Sequence, residues 1–373
     1  MSTKKQEELF HLIALSMMPK IGAKLIRSLV THFGSAQRVF QADFKTLATS
    51  AEMSITKAKE ILAQKTFSQA EQELSFISEY NIQAISFRDQ TFPQRLLHCP
   101  DCPALLYYKG STDLNANRIV AIVGTRKPSA HSIEFCQQLI EDLKTYNLLI
   151  VSGLAYGLDA IAHQKSVDLS IPNIGVVAHS LDRIYPAKHK RLAKKMLECG
   201  GLLTEFYSGT APLQQNFPMR NRIIAGMSDA VIVVETKRKG GSMITAHLAN
   251  DYNRDVFAVP TLANLASGCN WLIKTHKASM LESAEDLGYI MRWDKGQGSS
   301  AMHYKTSNHK LFANLDAVET QLVECLQVEK SLNLDELLQL SSFTINQLST
   351  LLLQLELKGV VRVLPANRYQ LCL

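Results

Sequence analysis

No apolar run in these 373 residues is long enough to cross a bilayer, so no membrane partner is expected. The start, Met1-Ser2-Thr3-Lys4-Lys5-Gln6-Glu7-Glu8, has no signal-peptide core, and a cytoplasmic protein is expected. Cysteine is scarce. There are seven, scattered, and the odd count argues against a secreted disulfide framework. Cys99-Pro100-Asp101-Cys102 has redox or half-zinc spacing, but no second pair follows and prolines surround it, so two loop thiols are expected. Neither Gly124 nor Gly153 opens a Gly-x-Gly-x-x-Gly, and Gly-x4-Gly-Lys-Ser/Thr is absent. A dinucleotide cofactor and a P-loop nucleotide therefore both lack their fingerprints, and neither cofactor nor metal is expected.

What is present is a globular composition, 46% hydrophobic and 20% charged, in a chain long enough for two or three domains. The net charge of +6 is modest, and its placement is more informative. Bases cluster at Lys188-Lys190-Arg191-Lys194-Lys195, at Arg220 and Arg222, and at Lys237-Arg238-Lys239. Such clusters suit a polyanion, although a solvated helix face explains any one of them as well. Residues 311–373 run the other way, with 4 bases against 7 acids.

From residue 117 apolar runs alternate with helical patterns. The strands are expected at Arg118–Val123, Leu148–Ser152, Asn173–Ala178, Leu202–Glu205, Ala230–Glu235 and Val256–Val259. Helices are expected between them, near 131–145, 156–168, 188–198, 218–228, 242–252 and 270–281. This is the pattern of an extended Rossmann-like, doubly wound parallel sheet, whose ligands sit beyond the carboxyl ends of its strands. Gly124-Thr125-Arg126, Ser152-Gly153 and Lys237 to Ser242 follow the first, second and fifth strands. Each is a small-residue turn whose backbone N–H groups are expected to face an anion. Phe217 to Glu235 reads as a helix carrying Arg220, Asn221 and Arg222 in its first turn, then a buried strand.

The flanks differ. Residues 1–80 read as a small helical domain, in which Met18-Pro19-Lys20-Ile21-Gly22 resembles a helix-hairpin-helix turn with Lys20 in place of its first glycine. A weaker copy falls near 50–63, and a plain helical packing module is the preferred reading. Residues 81–110 are a turn-rich connection with short strand candidates, opening a domain taken as 81–293. A Gly/Ser linker follows at 294–310. Residues 311–373 read as a winged helix-turn-helix. Its would-be recognition helix, 344–357, contains no Lys or Arg, so this module is expected to bind protein or pack on its own chain.

Several segments occur in a set order. They are Ala121–Arg126, Ser152–His163, Leu181–Pro186, Phe217–Gly226, Gly241–Ala246, Val256–Pro260 and Gly268–Asn270. Together they resemble the DNA-processing protein A (DprA/Smf) family, over roughly 90–290. The resemblance implies a homodimer that binds single-stranded DNA without sequence preference and passes it to the RecA recombinase in natural transformation, with no catalytic turnover. Carried onto this sequence, the DNA-contacting pattern falls on Gly124, Arg126, Ser152, Gly153, the basic residues after Tyr185-Pro186 (Lys188 and Lys190), and Arg220, Asn221 and Arg222. Thr125, Gly240, Gly241 and Ser242 complete the candidate turns. The sequence departs from the family at Ala178-His179-Ser180, at Thr261 and at His276-Lys277.

Single-strand binding also needs flat groups on which bases stack, and Tyr156, Tyr185 and Phe217 are the candidates, each also suited to the core. Arg220 and Arg222 could alternatively pair with Glu205 or Glu235. Asp159 and His163 share a helix face and are read as orienting the glycine turn rather than as an acid–base pair. The rival function is a nucleotide-processing enzyme laid out like the phosphoribohydrolases. Their Pro-Gly-Gly-x-Gly-Thr loop is matched here by Lys239 to Thr245, without the proline and without a following glutamate.

Overall fold

Nine short strands make one sheet, and the middle ones are the β-branched runs of the sequence. The computed structural model describes residues 3–50, 53–261, 267–294, 316–328, 332–341, 343–358, 360–364 and 368–371. From residue 295 the expected linker lies outside them. The strands are β1 (Gln83–Ser86), β2 (Leu105–Gly110), β3 (Ile119–Val123), β4 (Leu149–Ser152), β5 (Asn173–Val176), β6 (Gly201–Thr204), β7 (Ala230–Val233), β8 (Asp255–Ala258) and β9 (Ser279–Met280). Their order is β1-β2-β6-β5-β4-β3-β7-β8-β9. Every residue of β3, β4, β5 and β7 is buried, as strands covered by helices on both faces must be. The chain runs outward from β3 to β4 and β5, then crosses to β7 and β8 on its other side, so the topological switch lies between β3 and β7.

All six expected strands are present. The turn-rich connection contributes two more than a linker would: β1 and β2 pair antiparallel, and β2 joins the sheet antiparallel to β6. The helix expected at 270–281 ends early, at Lys274, because the chain turns at His276 (φ 55) and extends into β9.

Six helices between Thr3 and Glu79 bury a core that includes Leu12, Ile13, Leu25, Leu29 and Val39. That core continues into the sheet through Leu105 and Tyr107 of β2. At the hairpin-like turn Lys20 adopts φ 66, the left-handed geometry a glycine would enter without cost.

The chain divides into Met1–Gly296 and Gln297–Leu373. In the second unit three helices, Ala317–Val328, Leu334–Leu340 and Ile345–Leu357, enclose Leu322, Leu337, Leu348, Leu352 and Leu355. Capping boxes at Asn333/Glu336 and Thr344/Gln347 start the last two. Among the described residues the wing is a three-stranded sheet, in which Leu332–Asn333 pairs with Arg368–Leu371, which pairs with Val361–Leu364. Among the described residues no helix is long and apolar enough to cross a membrane.

Candidate functional site

The turns after β3, β4 and β5 and the helix Asn216–Met227 after β6 close on a small crevice of about 60 Å3. Arg126, Gly153, Tyr156, His179, Tyr185, Phe217 and Arg220 are among its lining residues. It sits at the carboxyl ends of parallel strands, where the doubly wound topology leaves room.

Phe217 contacts three of these residues. The Arg126 guanidinium lies 5.5 Å from the Phe217 ring centroid and that of Arg220 lies 6.0 Å from it. Tyr185 meets the same ring edge-on at 6.1 Å. Tyr156 and Tyr185 are 42% and 46% exposed, so both present flat apolar surface to solvent beside a cation.

The two arginines differ in kind. Arg126 is exposed. Arg220 is buried, and its Nη1 donates to the Gly153 and Val176 carbonyls. Burial pushes Arg220 down to about 10, against the pull of Asp159, so it stays charged at neutral pH. It thus floors the crevice with a fixed cation while Arg126 stands at its mouth. Arg220 Nε donates to Asn221 Oδ1 at 3.1 Å, and Asn221 Nδ2 reaches the Gly241 carbonyl at 3.4 Å.

Arg222 does not line the crevice with Arg126 and Arg220, where the carried-over DNA-contacting pattern would group it. It donates to Glu205 and to the Asp101 carbonyl, and the two charged side chains are 12% and 10% exposed. Two residues beyond Arg220, it projects about 200° around the helix, so the side chains cannot share the crevice. Burial raises the Glu205 carboxyl and Arg222 opposes that rise, as a buried ion pair requires.

The expected free amides are also fewer. Thr125 N–H donates to the Glu235 carbonyl at 2.7 Å, and Gly240 N–H to the Lys237 carbonyl at 2.8 Å. Gly153 and Ala155 N–H donate to Asp159 Oδ2 at 3.1 and 3.4 Å, so Asp159 orients the glycine turn. Burial raises the Asp159 carboxyl, while Arg220 and those amides lower it. His163 pairs with Asn173 at 3.0 Å, and burial pushes it down to about 4. Leu154, between Gly153 and Ala155, adopts φ 53, held there by its surroundings at a cost of about 1–3 kcal/mol.

Gly124 lies against Leu158, where a Cβ would clash, and Ser152 Oγ is turned inward to the Ile122 carbonyl at 2.6 Å. Both shape the site without facing it. Gly241 and Ser242 open the helix Gly241–Asp251, but Ser242 Oγ is buried against Thr236 at 2.7 Å. Lys188 and Lys190 are exposed beside the crevice, and the helix Lys190–Cys199 continues their line with exposed Arg191, Lys194 and Lys195. Among the described residues none of these five is paired with a carboxylate.

Glu235 is engaged separately, accepting from Ser129 N and Oγ at 2.9 and 3.0 Å. Two histidines escaped the sequence reading as site residues. His179 is buried, and its Nε2 accepts from Tyr185 N at 3.2 Å. His189 bonds the Leu154 carbonyl at 2.9 Å and meets the Tyr156 ring at 5.2 Å. His179 had been visible only as a departure from the family pattern.

Fold and site define a class: a Rossmann-like domain with an arginine- and aromatic-lined crevice, followed by a winged-helix unit. The family described as DNA recombination-mediator protein A matches residues 83–291, and the DprA winged helix domain matches 311–367. The chain belongs to this DprA/Smf family. It is 31% identical to Protein Smf of Synechocystis sp. over 96% of this chain and 97% of that one. The X-ray structure of DNA processing protein A from Streptococcus pneumoniae superposes with a TM-score of 0.64 at 30% identity, covering 77% of this chain and 98% of that one. DNA processing protein A from Helicobacter pylori, whose structure is described in terms of a single-stranded DNA binding mode, superposes with a TM-score of 0.52 at 29% identity, covering 57% and 98%.

Proposed function

We propose that the crevice binds single-stranded DNA without regard to base sequence, and that the chain delivers such strands to the RecA recombinase as a homodimer, without catalytic turnover. The observation that carries the reading is the exposed Arg126 guanidinium over the Phe217 ring, in a crevice that Tyr156 and Tyr185 also line. Arginine forks bind phosphate, and unpaired bases stack on aromatic faces whatever their identity. Lys188, Lys190 and the cationic face of the following helix extend a track for the backbone. Delivery to a recombinase draws its support from the family description and from the single-strand binding described for the Helicobacter pylori relative.

Fluorescence anisotropy with dye-labelled oligothymidylate, a mixed-sequence strand and its duplex tests the binding. Both single strands are expected to bind equally, more tightly than the duplex, with log K falling linearly in log salt. Equal binding of strand and duplex, or no effect of Arg126→Ala, defeats the reading. The nucleotide-processing alternative is favoured only if purified protein releases free base from nucleoside monophosphates.

A further inference from the structure

Glu73 lies on the helix Phe67–Glu79, before the sheet begins, and is 1% exposed. No crevice residue comes from before Arg126. Yet a hydrogen-bonded path joins them. Both Glu73 oxygens accept from the N–H of Ser208, at 3.2 and 2.9 Å. Ser208 belongs to the turn after β6, closed by Thr210 N–H donating to the Tyr207 carbonyl at 3.3 Å, with Gly209 at φ 79. The Thr210 carbonyl accepts from the N–H and the Oγ of Ser180, both at 3.2 Å. The Ser180 carbonyl bonds His179 Nδ1 at 2.7 Å, and His179 Nε2 accepts from Tyr185 N–H at 3.2 Å. His179 and Tyr185 are crevice walls.

A second contact runs in parallel. Leu181 packs on the core of the N-terminal helices and also on the cluster containing Leu154 and Val177. The rim segment 178–185 is therefore held from the N-terminal helical layer by one polar and one apolar link.

We propose that Glu73 is a positioning residue for the crevice, fixing the 207–210 turn and, through it, the His179–Tyr185 rim. A carboxylate facing the amide and the side chain of Ser208 is a costly filler for buried space, since an apolar side chain of like volume would desolvate more cheaply. What it supplies is direction: its two oxygens share the Ser208 N–H in a three-centre bond that draws the amide toward the carboxylate. Asp182 adds to this at the far end of the path, accepting from Ser180 Oγ. The consequence for DNA rests on the reading of the crevice as the single-strand site.

The experiment uses full-length protein and Glu73→Gln, which keeps the shape and removes one acceptor. Hydrogen exchange across 178–186 is expected to quicken at least about threefold, and oligothymidylate affinity to fall roughly three- to tenfold. In a Tyr185→Ala background the loss from Glu73→Gln should shrink below about twofold, because the rim group it places is gone. In an Arg126→Ala background it should persist in full. Ser180→Ala, which removes the Oγ bonds to the Thr210 carbonyl and to Asp182 but leaves the backbone links and Glu73 intact, should quicken the same exchange. Unchanged exchange over 178–186 in folded Glu73→Gln, or full additivity with Tyr185→Ala, overturns the proposal. If Arg126→Ala and Tyr185→Ala both leave binding unchanged, the crevice reading fails instead, and the exchange result alone judges the link from Glu73 to the rim.

Discussion

Arg220 and Asn221 are neighbours in sequence and are also joined side chain to side chain, Nε to Oδ1 at 3.1 Å. Successive helical residues point about 100° apart, so this bond bends across the helix surface. It ties the crevice floor, where Arg220 holds the Gly153 and Val176 carbonyls, to the Gly241 turn that Asn221 reaches. The second turn of one helix, rather than its first as expected, thereby braces two loops on different strands.

Arg126 is the exposed cation of the crevice, so Arg126→Ala should weaken single-strand binding about tenfold, as loss of a charge-assisted contact does. The slope of log K against log salt should flatten by about 0.7, the single-strand value for one phosphate contact. Anisotropy titrations across a salt series measure both, and thermal melting should be unchanged.

Arg222 behaves oppositely. Arg222→Ala leaves Glu205 buried without its cation, and should destabilise the fold by about 3–5 kcal/mol. Urea denaturation measures it. A variant of full stability that fails to bind DNA would return Arg222 to the interface.

Gly153 has no room for a side chain. A Cβ there would lie 2.5 Å from Arg220 Nη1. Gly153→Ala should displace the Arg220 guanidinium, cost about 1–3 kcal/mol and weaken binding, whereas Gly241→Ala meets open space and should keep stability within about 0.5 kcal/mol. Paired denaturation curves decide.

Acidification should destabilise the protein through its buried histidines. Burial lowers both His163, to about 4, and His179. A histidine with a depressed folded pKa stabilises above its unfolded pKa of about 6.5 and loses that contribution as pH falls toward the folded value. Between pH 6.5 and 5 the unfolded chain takes up protons that folded His163 refuses, a loss of about 1.4 kcal/mol per pH unit. Urea midpoints at pH 7, 6 and 5 should fall accordingly, and His163→Gln should flatten the trend. A flat profile in the parent protein contradicts it.

The stacking platform has its own signature. Tyr185→Ala or Tyr156→Ala should each cost about 1–3 kcal/mol of binding with little change in salt slope, since a ring carries no charge. Anisotropy on oligothymidylate checks this, and a changed slope would mean that the substitution had moved the cations.

The amino-acid sequence by itself determined the strands from Ile119 to Ala258, because covered β-branched runs separated by helical periods admit little other than a parallel sheet. It also picked out the turns at Gly124, Gly153 and Gly240, because those residue types mark where strands stop. Only the tertiary structure decided which of the three arginines share the crevice. Arg220 and Arg222 look alike in the chain, but helix geometry turns one to carbonyls of β5 and its neighbouring turn and the other to Glu205. The antiparallel edge of β1 and β2 and the reach of Glu73 to Ser208 likewise depend on contacts between residues far apart in sequence, which local propensity does not encode.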